Sequence, residues 1–90
     1  MIIMSVSDFI RLGNLIEAML TKIPADLQRD TRRGLSVSYM IEAARYKGLR
    51  GVSDDVIEEA SNQRGIEVGP ALKRDGTEHP RTRVLYRSKK

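Results

Sequence analysis

The side chains best suited to chemistry in this 90-residue chain are cations crowded toward its C-terminal end. Lys73, Arg74, Arg81, Arg83 and Arg87 are set against Glu67, Asp75 and Glu78 alone. Nine Lys/Arg and nine Asp/Glu precede Ile66, so the whole formal net charge of +4 belongs to residues 66–90. Such an excess marks a surface that neutralises phosphate or another acidic partner. The competing reading is a solvated basic segment that keeps the chain soluble.

Other chemistries are poorly supplied. There is no cysteine, which excludes disulfides, thiolate zinc sites and thiol catalysis. The one histidine, His79, stands beside Pro80 without the positioned partner that a general base needs. Asp54, Asp55, Glu58 and Glu59 resemble a divalent-cation patch. The first two, however, already complement a helix N-terminus, and a hard cation wants oxygen ligands converging from other segments. Gly65, Gly69 and Gly76 match no phosphate-loop spacing. The expectation is a protein that is not an enzyme and uses no metal or cofactor.

The elements that must position these cations are legible from hydrophobic period. Phe9, Leu12, Leu15, Ile16, Met19, Leu20 and Ile23 recur at helical spacing, which predicts a helix over 8–23 capped by Ser7 and ended by Pro24. A weaker helical segment follows over 24–33, apolar only at Ala25 and Leu27, with Arg29, Arg32 and Arg33 on one face. That face either touches phosphate or is solvated and partly paired with Asp26 and Asp30. A third helix spans 36–47, capped by Ser36 or Ser38, with Gly48 past its end and Leu49 folding back. A fourth spans 53–64, with Ser53 as its cap and Val56, Ile57 and Ala60 inward.

After Gly65 the period becomes two. Ile66, Val68, Pro70 and Leu72, then Val84 and Tyr86, alternate with their neighbours around a long polar loop, Arg74–Arg81. This predicts a hairpin with strands at about 66–73 and 82–87, and a frayed basic terminus over 88–90. The expected core is Phe9, Leu12, Leu15, Ile16, Met19, Met40, Ile41, Ala44, Leu49, Val56, Ile57, Ala60 and Val84. The fold class is α+β: a single domain over 1–90, with a small helical bundle at 8–64 and a C-terminal β-hairpin at 66–87.

This order, helices and then a hairpin, resembles the winged helix-turn-helix superfamily over residues 24–87. Ala44-Arg45-Tyr46-Lys47-Gly48-Leu49 is similar to the first half of a helix-turn-helix, where a small residue packs under the second helix and glycine makes the turn. In the compact motif an apolar residue lies about ten positions after the small one. Asp54 stands there instead, so the turn Gly48–Val52 is longer than in the compact form. The resemblance implies that residues 66–87 are a wing and that helix 53–64 reads DNA.

On that footing the nucleic-acid-binding residues are Lys73, Arg74, Arg81, Arg83 and Arg87 of the wing, with Asn62, Gln63 and Arg64 at the end of the fourth helix. The outward Asp55, Glu58 and Glu59 oppose DNA at the start of that helix, so the wing or a protein partner must account for them. The expected partner is double-stranded DNA, bound by a small bacterial, phage or plasmid regulator of transcription, replication or partition that acts as a homodimer. The alternative is a protein-interaction module, an inhibitor or adaptor that docks through its acidic helix and basic hairpin. RNA binding by the hairpin ranks third, because paired aromatics for base stacking are missing. No apolar run approaches the roughly 20 residues of a membrane span. Met1-Ile2-Ile3-Met4 reads as a short strand or a staple on the core. It lacks a basic flank, and Asp8 and Arg11 interrupt it too early for a signal peptide. A cytoplasmic protein with no membrane contact is therefore expected.

Overall fold

Three serines start the three longer helices. The Asp8 N–H donates to Ser5 Oγ (3.2 Å), the Tyr39 N–H to Ser36 Oγ (3.1 Å) and the Val56 N–H to Ser53 Oγ (3.4 Å). Each bond satisfies one backbone donor that the first helical turn leaves free. The computed structural model describes residues 4–32 and 34–88. The readings made for Met1–Ile3, Arg33 and Lys89–Lys90 lie outside the described residues.

The elements are α1 (Val6–Leu20), α2 (Ala25–Thr31), β1 (Leu35–Ser36), α3 (Val37–Tyr46), α4 (Asp54–Asn62), β2 (Glu67–Leu72) and β3 (Glu78–Tyr86). The fold is α+β, with helices followed by a three-stranded antiparallel sheet in the order β1-β3-β2. α1 begins earlier than its period indicates, on Ser5 rather than Ser7, and it ends at Leu20. The Thr21 hydroxyl then donates to the Glu17 carbonyl (2.7 Å), and Pro24 disfavours helical backbone at Ile23. α3 and α4 close alike. Leu49 and Ile66 each donate a backbone N–H five residues back, to Ala44 and Ser61, across a glycine of positive φ. Both apolar residues thereby enter the core.

That core joins Leu12, Ile16 and Leu20 of α1 to Met40 and Ala44 of α3, Ile57 and Ala60 of α4, and Leu85 of β3. Phe9, Leu15, Met19, Ile41 and Val56 pack against it while staying half-buried. Two expectations are corrected. Val84 is buried as expected, but the alternation grouped Leu85 with the arginines. Leu85 is fully buried, facing the helices beside Leu35 and Val68, and Val84 and Tyr86 are buried on the opposite face. β3 is the central strand, paired along both edges, and at Val84–Tyr86 both its faces are covered. The phenol of Tyr86 lies across Gly69, and the Arg32 guanidinium sits 5.6 Å from its ring centroid.

The second correction concerns the hairpin loop, which is short. Lys73 and Thr77 already exchange a ladder-like bond (2.8 Å), and the Asp75 carboxylate takes the Thr77 N–H (3.0 Å) and hydroxyl (2.6 Å). β3 therefore begins at Glu78, not 82. The residues expected to lie in a loop instead form an irregular stretch of strand, since the register slips between Pro70 and Leu72.

Candidate nucleic-acid interface

Pro70 pairs with Arg83 and Leu72 with Glu78, so His79–Thr82 stand opposite Ala71 alone and bulge out of the ladder. The imidazole fastens this bulge, its Nδ1 accepting from the backbone N–H of Thr82 (3.2 Å) and of Arg81 (3.4 Å). A histidine read from sequence as an exposed loop residue thus holds the backbone that presents Arg81. Pro80, which has no N–H to give a ladder, fits the same bulge.

Beside the bulge is a shallow cleft of 260 Å³ where Arg81, Thr82 and Arg83 face Ser36, Val37 and Ser38 at the start of α3, with Asp54 of α4 at its edge. The pairing of Ser36 with Val84 brings the N-terminus of α3 to this place. Two-residue β1 carries no periodic signal of its own, so sequence reasoning missed the strand and with it Ser36, Ser38 and Thr82 as neighbours of the arginines. The capping chemistry of Ser36 was the one available clue.

The eight residues singled out from the sequence fall into two groups. Lys73, Arg74 and Arg81 are exposed on the hairpin without an ion pair among the described residues. Arg83 is with them but bonds Glu58 of α4 at 2.7 Å. At the other end of β3, Arg87 bonds Glu17 at 2.9 Å, and Arg64 bonds the same carboxylate at 2.8 Å. Asn62 and Gln63 are exposed beside that end, away from the hairpin tip. Arg83 and Arg87 are four residue steps apart along the strand, about 13 Å, so no single flat contact near the tip engages both groups.

Glu17 is therefore a structural hub, and its carboxyl is held below the ordinary glutamate range by the Arg87 bond first and the Arg64 bond second, against some desolvation. Gln28 completes the joint. It is 3 % exposed on a helix read as superficial, and its amide donates to the carbonyls of Leu20 (3.0 Å) and Ile23 (2.9 Å). Its Oε1 accepts from the Arg87 N–H (3.0 Å). A polar residue buried this way escapes a search for apolar period. Arg32, one of the three arginines on that segment, bonds Glu78 (3.2 Å) and the Pro70 carbonyl (3.3 Å), anchoring the hairpin.

Of the carboxylates expected to face outward on α4, Asp55 and Glu59 are exposed and Glu58 is half-buried; Asp54 is exposed as well. Among the described residues, no three His, Asp or Glu side chains are grouped to hold a metal ion, and no helix is long and apolar enough to cross a membrane. No family model matches the chain, and neither does any curated protein or solved structure.

Proposed function

We propose that the chain is a small duplex-DNA-binding protein of winged-helix type whose hairpin, rather than its fourth helix, makes the main contact. The observation that carries this reading is the set of cations Lys73, Arg74 and Arg81, exposed on the hairpin without an ion pair among the described residues; Asp54 of α4 lines the same cleft as Arg81, but the hairpin's own carboxylates near the tip are engaged. Glu78 is bonded to Arg32, and Asp75 is turned onto Thr77. The order of helices and hairpin, with β1 tying that hairpin to the helical half, supports the fold assignment.

In this reading the hairpin lies along the phosphate backbone. Arg81, aimed outward by the bulge, and the hydroxyls of Ser38 and Thr82 in the cleft meet phosphate oxygens. Such contacts position the protein and carry no base information. Arg74, next to the turn, is placed to enter a minor groove, where arginine senses groove width. The carboxylates at the start of α4 oppose deep insertion of that helix into the major groove. Asn62 and Gln63, exposed away from the hairpin tip, would read bases only through a separate contact. Regulation of transcription, replication or partition would follow from such binding.

Electrophoretic mobility shifts on random duplex DNA across a salt series test this. Affinity should fall steeply as salt rises, with a logarithmic slope that counts the phosphates neutralised. Absence of binding at low salt would remove the proposal and leave the protein-interaction reading.

A further inference from the structure

We propose that the trough between α1 and α3 is a docking groove for an acidic amphipathic helix of a partner protein. The trough has a volume of 540 Å³ and an apolar floor of Leu15, Ala18, Met19 and Ala43. Two of the chain's four aromatic residues form its α3 wall, Tyr39 at 56 % exposure and Tyr46 at 89 %. Their seven-residue spacing places them on one helix face, two turns apart. Leaving two such rings in water costs apolar burial that a small domain can ill spare, and tyrosines in this setting are typical anchors of protein interfaces.

Charge selects the occupant. Lys22 closes the trough at the end of α1. Lys47 closes it at the end of α3, and it also lines a smaller depression with Arg11 and Asn14, beside the first half of α1. Neither lysine has an ion pair among the described residues, and Glu42 is the only acid in the lining. A second copy of the chain fits badly. A two-fold axis in the plane of the contact sets lysine against lysine, whether the troughs run parallel or antiparallel, and like charges so placed oppose association.

An incoming helix with apolar residues at i, i+4 and i+7 can seat them on the floor between the tyrosines, while Asp or Glu near its two ends meet Lys22 and Lys47. From Tyr39 to Lys47 the wall is about 12 Å long, two to three helical turns. None of the hairpin cations lines this trough, so the groove stands independently of the DNA reading.

The test uses the whole chain, labelled with ¹⁵N, and two synthetic peptides. One is an amphipathic helix with leucines at i, i+4 and i+7 and glutamates toward its ends; the other replaces each glutamate by lysine. The acidic peptide should shift the amides of Ala18, Met19, Ala43, Tyr46 and Lys47 and leave residues 73–83 unmoved. By fluorescence anisotropy it should bind at least about tenfold more tightly than the lysine peptide. Tyr46→Ala, at a position too exposed to affect folding, should weaken it by about tenfold. Lys22→Glu should reverse the preference between the two peptides. Equal affinity for both peptides, no binding of either, shifts confined to the hairpin, or protection of the same amides by concentration-dependent self-association would each overturn the proposal.

Discussion

Arg81 differs from the other singled-out arginines in what surrounds it. Arg64 and Arg87 share Glu17 and Arg83 holds Glu58, whereas Arg81, like Arg74, has no ion pair among the described residues, and Arg81 also has a histidine-fastened bulge beneath it. If the hairpin meets phosphate, Arg81→Ala should weaken binding on all duplex sequences alike and reduce the salt slope by roughly one unit. A mobility-shift series on two unrelated duplexes measures both, and an unchanged slope would remove Arg81 from the interface. Arg87→Ala should act instead on stability, through the Glu17 hub. Glu17 also sets a pH dependence. Its folded pKa is depressed, so its contribution is fully present above the ordinary glutamate value and is lost as pH falls through the lowered one. Glu17→Gln should therefore melt at a lower temperature than the parent near neutrality, with the gap closing in acid. Thermal melts across pH check this, and a gap independent of pH would show that the two arginines do not stabilise the carboxylate as drawn. Chain chemistry alone identified these arginines as cations. Which of them are already held by carboxylates depends on residues 47 and 70 positions apart in sequence, which no local pattern encodes.

The three longer helices were legible because each carries several apolar side chains at one spacing between a serine and a turn residue, as in Ser53 to Gly65. β1 was not, since two residues cannot show a period and its sole reason to be extended is the edge offered by β3. The inner face of β3 was misjudged for a related reason: alternation assigns one buried face to a strand, whereas Arg32 and Gly69 cover the other side of Tyr86. At this scale Gly34 is the critical position. A Cβ there would come within 1.8 Å of the Leu85 carbonyl oxygen, a backbone atom that cannot swing aside. Gly34→Ala should push β1 off β3 and destabilise the fold by about 1–3 kcal/mol. Loss of hydrogen-exchange protection should be concentrated at residues 35–36 and 84–85, and a melt equal to the parent's would disprove the close approach. Ile16→Ala, by contrast, removes a fully buried side chain from the centre of α1 and should cost about 2–5 kcal/mol wherever it is probed.

Taken whole, the molecule sets a basic hairpin beside an acidic helix, and the Arg83–Glu58 ion pair bridges the two. That bond decides how much of the hairpin's charge reaches a partner. Both side chains are more than two-fifths exposed, so the pair adds little stability, and its chief effect is to lower the local positive field. Neutralising the acids isolates this effect. In the double variant Glu58→Gln with Glu59→Gln, Arg83 is released and two carboxylates no longer repel a phosphate backbone. Duplex binding should tighten, and the salt slope should steepen by up to roughly one unit as Arg83 joins the contact. Adding Arg83→Ala to that variant should return the slope to the parent value while keeping part of the gain, because the repulsion stays absent. A partner that docks a basic protein surface onto α4 requires the opposite: its affinity should fall when these acids are removed. Mobility shifts of the parent, double and triple variants, each first shown to melt cooperatively, separate the two outcomes. If the folded double variant binds duplex DNA more weakly than the parent, these carboxylates do not repel the phosphate backbone, and the placement of α4 beside the duplex must be given up.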